Sequence, residues 1–168
     1  MKRKDDIGRR RTRARRRALQ ALYQWQLAGQ DLRDIEAQFQ EEMDMSAVDM
    51  ELFRELLHSV PARADTLDAA FGPLLDRPAE QLDPIERAIL CMGTYELEAR
   101  IDVPYRVVIN EAVELAKLFG AEQSHRYING VLDKVARAVP LRAAEMKAAR
   151  ANHLYIAFMQ WENFMQKG

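Results

Sequence analysis

The stretch Leu82–Arg100, LDPIERAILCMGTYELEAR, decides the fold. Asp83 is a good helix N-cap, Pro84 suits the first helical position, and Glu86 stands where it can close a capping box. Behind that start the apolar residues do not keep to one stripe. Ile85, Ile89, Leu90, Met92, Gly93 and Leu97 spread around the helix, and a helix that is apolar nearly all round must be enclosed by others. The segment therefore predicts a central helix in an all-α domain.

The neighbouring segments repeat the helical period. Before it, Leu19, Leu22, Tyr23 and Leu27 form a stripe that stops near Gly29. Asp31 is placed to cap a second helix with Leu32, Ile35 and Phe39 on its apolar face. Ser46 is placed to cap a third, with Val48, Leu52, Phe53, Leu56, Leu57 and Val60 inward, and Pro61 ends or restarts it. Leu67, Ala70, Phe71 and Leu74 mark a fourth. Pro104 opens the sixth, whose face is Val108, Ala112, Leu115, Ala116 and Phe119, and Gly120 closes it. Ile128, Val131, Leu132, Val135 and Val139 carry the seventh up to Pro140, and the Asn129-Gly130 pair within it predicts a close helix approach at Gly130. Seven glycines and six prolines in 168 residues, with no strand alternation, agree with helices throughout. The organisation read from this is a basic N-terminal arm (1–11), a seven-helix domain (12–139) and a helix-prone C-terminal extension (140–168). In the extension Leu154, Phe158, Trp161 and Met165 share one face, which packs on the body, on another chain, or on nothing while staying mobile.

Charge is divided unevenly. Residues 1–17 hold ten Lys/Arg and two Asp, net +8, while the rest hold 15 Lys/Arg and 24 Asp/Glu, net −9. A concentrated run of arginines on an acidic body points to a polyanion partner. Guanidinium groups bond phosphates bidentately and stack on bases, and an arginine-rich segment can fold on RNA. Tyr23 and Trp25 follow the arginines within about two helical turns, Tyr23 half-buried with its hydroxyl outward, Trp25 either a core anchor or a stacking platform. No large apolar residue interleaves the run from Arg9 to Arg17, which disfavours a membrane-surface helix.

Catalytic chemistry finds no constellation. His58, His125 and His153 lack metal-ligand spacing, Cys91 lies within the most apolar helix, and no phosphate-cradling glycine loop or nucleophile elbow is present. Glu111, Glu114 and Glu122 read as solvated helix-face glutamates. A non-enzyme with no cofactor and no metal is expected. A single cysteine, together with no secretory pattern and no long apolar run, predicts a soluble cytoplasmic protein.

The arginine-rich opening, DPIERAILCMGTYELEARIDVPYRVVINEAVELAKLFG and SHRYINGVLDKV, in that order and spacing, resemble the NusB family of bacterial transcription antitermination factors. The resemblance runs from about residue 9 to about residue 138. It implies an all-α fold of two packed helical bundles and no catalytic activity. It also implies binding of boxA RNA as a heterodimer with NusE, a small-subunit ribosomal protein, in a complex with other Nus factors on RNA polymerase that favours processive transcription of ribosomal RNA operons. The family includes monomers and homodimers, so a homodimer is one expected state. Carried onto this chain, the family's RNA-binding positions are Arg9, Arg10, Arg11, Arg13, Arg15 and Arg16 (extended by Arg17), then Tyr23, Glu86, Ser124, His125, Arg126 and Tyr127. Ser124 would cap the seventh helix, whose free N–H groups would face phosphate. Glu86 would accept from a base edge, orient an arginine, or serve only its capping box. Cys91 departs from the family's usual arginine, and the extension after Pro140 lies beyond the resemblance. The alternative from another class is a helical protein–protein adaptor with a nonspecific basic tail.

Overall fold

Ten consecutive residues of the central helix, Ala88–Leu97, are buried, as expected for an element surrounded on all sides. The computed structural model describes residues 2–167, and of Lys2 the backbone alone. Met1 and Gly168, at the ends of the expected arm and extension, lie outside the described residues. Eight α-helices follow in order: α1 (Lys2–Ala28), α2 (Leu32–Glu42), α3 (Met50–Ala62), α4 (Ala64–Phe71), α5 (Pro84–Ala99), α6 (Tyr105–Phe119), α7 (Ser124–Ala138) and α8 (Pro140–Gln166), with two short 3-10 turns between α4 and α5. Among the described residues there is no strand. α1 packs on α2 and α3, while α6 and α7 pack on each other. α5 lies against α1, α3, α4, α6 and α7, joining two helical groups through one core.

The starts and stops are largely those read from sequence. Asp83 accepts from the Ile85 N–H and Asp31 from the Arg33 N–H. Gly29 ends α1 at φ 64°, a left-handed conformation that suits glycine. Three details differ. α3 is capped by Asp49, which accepts from the Leu52 N–H at 3.0 Å, while Ser46 lies in the preceding loop bonded to Asp44. Pro61 sits inside the last turn of α3, and the break comes at Arg63. The close α5–α7 approach is made at Gly93, where an added Cβ would lie 2.7 Å from Leu132 Cδ1, and not at Gly130, where a Cβ would meet nothing within 4 Å.

Two longer-range features change the organisation. No break separates the arginine run from the domain, because α1 crosses residue 11 without interruption. Arginine is itself a good helix former, and the run is anchored to the body at several points described below. At the other end, the body extends into α8. Arg142 is fully buried and donates to the carbonyls of Glu96, Leu97, Arg100 and Val103 at 2.7–3.1 Å, and to Glu145 at 2.8 Å. The last four carbonyls of an α-helix have no partner within it, and here an arginine from another helix caps the end of α5. Met146, one turn on, is also buried. Beyond it Arg150, His153 and Leu154 still share a hollow with Arg106 of α6, and the rest of the Leu154–Phe158–Trp161–Met165 face lies exposed.

Candidate nucleic-acid interface

The helical period sorts the arginines of α1 into two sets. Arg9, Arg13 and Arg16 are exposed, and with Gln20 and Tyr23 they recur at spacings of four, three, four and three along one stripe. None of the three arginines has a carboxylate partner among the described residues. They line an open groove of about 640 Å³ with Lys4, Thr12 and Glu111. Arg13 and Arg16 continue into a second hollow of about 350 Å³ floored by Gln20, Val48 and Phe119. Tyr23 is 37% exposed at the far end of the stripe.

Arg10, Arg11, Arg15 and Arg17 face the protein. Arg10 donates to the carbonyls of Val48 at 3.1 Å and Ser46 at 3.4 Å, and its own carbonyl accepts from the Asp49 N–H at 3.1 Å, which fastens the α2–α3 loop to α1. Arg11 is paired with Asp49 at 3.8 Å. Arg17 reaches Gln20 at 3.1 Å and the Met43 sulfur at 3.2 Å. Arg15 corrects the sequence reading most sharply. It is 2% exposed and holds Glu96 of α5 with two bonds, Nε to Oε2 at 2.9 Å and Nη2 to Oε1 at 2.7 Å, with Glu111 at 3.9 Å. Thr12 adds a hydroxyl bond to Glu111 at 2.8 Å. Arg15 is a buried anchor and has no surface to offer a phosphate.

The second expected cluster, at the start of α7, is also divided. Ser124 is the first residue of the helix, not its cap. It is buried, and its hydroxyl donates to Glu86 Oε1 at 2.7 Å. Glu86 thus ties α5 to α7. Because Ser124 is turned inward, the first N–H groups of α7 have no side-chain cap. Arg126 is exposed and His125 half-buried. Tyr127 packs on the core, its hydroxyl buried without a hydrogen-bond partner, and Arg77 stacks over its ring with the guanidinium carbon 4.3 Å from the centroid.

The two clusters adjoin. Phe119, at the end of α6, lines the hollow beside Arg13 and Arg16. The next residue, Gly120, packs directly on Ser124, where a Cβ would come within 3.0–3.2 Å of the serine side chain. The α6–α7 turn therefore lies between the basic stripe and the start of α7. Sequence reasoning missed Arg77 and Phe119 here. Arg77 lies in an irregular segment without periodicity, and Phe119 reads as core. Trp25 resolves to a half-buried residue packed against the core. At Cys91, burial pushes the thiol pKa up to about 12, and Asp68, beside it at 3.7 Å, is paired with Arg87. Among the described residues no group of His, Cys, Asp and Glu could hold a metal ion, and no helix is long and apolar enough to cross a membrane.

Comparison with known proteins places the chain among relatives. A model of the NusB family matches residues 12–137. The chain is similar to the transcription antitermination protein NusB of Alkalilimnicola ehrlichii, 58% identical over 157 residues, which cover 83% of this chain and 88% of that one. It is 57% identical over 140 residues to the protein of the same name from Alcanivorax borkumensis, covering 83% and 92%. Among solved structures, T. maritima NusB superposes with a TM-score of 0.69 at 27% identity, covering 81% of this chain and 96% of that one.

Proposed function

The chain belongs to the NusB family, and from that premise we propose that it is a transcription antitermination factor that binds boxA-type single-stranded RNA in nascent transcripts, notably those of ribosomal RNA operons. It does so as a heterodimer with the NusE ribosomal protein, within a complex of Nus factors on RNA polymerase, in the cytoplasm and without a catalytic step of its own. The observation that carries the RNA reading is the stripe of Arg9, Arg13, Arg16, Gln20 and Tyr23, three guanidinium groups without a carboxylate partner among the described residues, leading to an exposed aromatic ring. Cations spaced along one helix face suit successive phosphates, and the ring suits an unstacked base. Arg126, beside the uncapped start of α7, extends the positive surface. Unpaired bases are the natural target, since A-form duplex hides its major groove from side chains. NusE, with its own RNA contacts, would add to a modest surface and raise the affinity of the pair.

Fluorescence anisotropy with a short boxA-like RNA and a scrambled control tests this, each with and without the NusE-type ribosomal protein and at two salt concentrations. Selective, salt-sensitive binding strengthened by the partner is expected. Equal weak binding to both RNAs, unaffected by the partner, would refute it.

A further inference from the structure

Past Met146, α8 stands out from the body, adjoining it where Arg150, His153 and Leu154 share a hollow with Arg106 of α6. Every described residue from Arg150 to Lys167 is exposed except the half-buried Glu162, a helical rod of about 25 Å. Its surface is unlike that of a solvated helix. Leu154, Phe158, Trp161 and Met165 fall at spacings of four, three and four, the spacing of a coiled-coil seam, and Tyr155 and Phe164 flank it. These six are 53–76% exposed. The Phe158 and Trp161 rings lie side by side on the helix with centroids 6.3 Å apart. At roughly 200 Å² for each large side chain, the six present on the order of 750 Å² of apolar surface, more than the ~300–600 Å² of the largest patch on an ordinary monomer.

We propose that this seam pairs with the same seam of a second copy, antiparallel, to form a two-fold homodimer. The pattern itself selects the partner. The spacing four-three-four reads identically in both directions, so reversing the helix superposes the seam on itself about a point between Met159 and Gln160. Leu154 then meets Met165 of the second copy, and Phe158 meets Trp161, giving four layers of large against large. At the flanks, Ala157 faces Phe164 of the second copy, small against large. Tyr155 faces Glu162, so a phenol hydroxyl can donate to a carboxylate. Arg150 lies level with a point just past the C-terminal end of the other helix, where the dipole favours a cation. Such a contact is isologous and closes at two chains. Burying most of the six side chains from both copies removes about 1,200 Å² in all, above the ~1,000 Å² that marks a specific interface. The antiparallel sense also places the two bodies at opposite ends of the paired rods. The seam contains no α1 residue, so it leaves the arginine stripe free.

Sedimentation velocity of the full chain over a concentration series is the test. The parent protein should dimerise, with the Trp161 emission shifting to the blue as dimer forms. Phe158→Glu with Trp161→Glu should be monomeric at every concentration, with the helicity and melting temperature of the parent at dilutions where the parent is itself monomeric, because both residues lie on the exposed rod. Met159→Glu, off the seam, should still dimerise. Direction is read by oxidising a mixture of Leu154→Cys and Met165→Cys chains. Antiparallel pairing links one variant to the other and neither to itself. A parent chain that stays monomeric, a Phe158→Glu/Trp161→Glu chain that still dimerises, a Met159→Glu chain that does not, or cysteines that link only like with like would each overturn the proposal.

Discussion

Replacing Arg15 with alanine separates anchoring from RNA binding. In the folded chain both side chains of the Arg15–Glu96 pair are 3% exposed, and the two direct bonds are 2.7 and 2.9 Å. Alanine at position 15 leaves the Glu96 carboxylate buried between helices with its cation gone. Breaking a buried pair from one side costs about 3–5 kcal/mol, because the remaining charge keeps its desolvation penalty. With a urea slope of ~2 kcal/mol per molar, the unfolding midpoint should fall by about 2 M. Removing both charges with groups of similar volume, Arg15→Met with Glu96→Leu, should return the midpoint to within ~1 M of the parent, since no buried charge is then orphaned. RNA affinity of the double variant, measured well below its unfolding transition, should stay near that of the parent. If Arg15→Ala instead leaves stability within ~1 kcal/mol and weakens RNA binding as much as Arg13→Ala, the buried pair is wrong and Arg15 is a ligand.

Other consequences follow from the same geometry. Arg13→Ala with Arg16→Ala should leave the urea midpoint unchanged and lower the slope of log affinity against log salt by about 1.4, two single-strand phosphate contacts, in the anisotropy assay. Gly93→Ala should destabilise by ~1–3 kcal/mol because its methyl would press on Leu132, whereas Gly130→Ala, exposed in a helix, should stabilise by up to ~1 kcal/mol; chemical denaturation of both variants checks the pair. With its pKa at about 12 against an ordinary 9.0, Cys91 should resist alkylation at pH 9 in the native chain and react promptly in denaturant. The folded thiol holds its proton more tightly than the unfolded one, so this term is fully present below pH 9 and is lost as the pH rises toward 12.

The fold was legible because its signals are local. A capped start at Asp83, a stop at Gly29 and apolar periodicity in each segment are properties of a few neighbouring residues, and they placed α5 at the centre. What escaped depended on partners distant in the chain. Nothing in the composition around Arg142 distinguishes it from a surface arginine, since its role is set by carbonyls some 40 residues earlier. The same holds for Ser124, a good cap by type, which turns inward because Glu86 lies 2.7 Å away on another helix. Gly130 looked like the packing glycine because it follows Asn129, yet Gly93 faces Leu132. Capping and packing are satisfied by whichever group arrives in space, and one-dimensional spacing cannot rank the candidates.

The arginines show where that boundary falls within a single helix. Charge density singled out a candidate phosphate-binding segment, and a count of arginines treats all seven from Arg9 to Arg17 as equivalent. Once that segment is helical over its whole length, they cannot be equivalent. A turn of 3.6 residues sends 9, 13 and 16 to one face and carries 10, 15 and 17 toward the α2–α3 loop, α5 and α2. The inward set has a consequence for the outward one. By fixing α1 against Glu96, Glu111 and the Val48 carbonyl, it holds Arg9, Arg13 and Arg16 on a rigid rod before any ligand arrives. A flexible basic tail would lose conformational freedom on binding, roughly 1–2 kcal/mol of backbone entropy for each residue ordered, and this helix has already met that cost in folding. Loosening the anchor without removing a cation of the stripe, by Thr12→Val for example, which keeps the shape of the groove wall and loses the bond to Glu111, should therefore weaken RNA binding. If affinity is unchanged while hydrogen exchange shows residues 3–12 freed, preorganisation contributes nothing and charge alone holds the RNA.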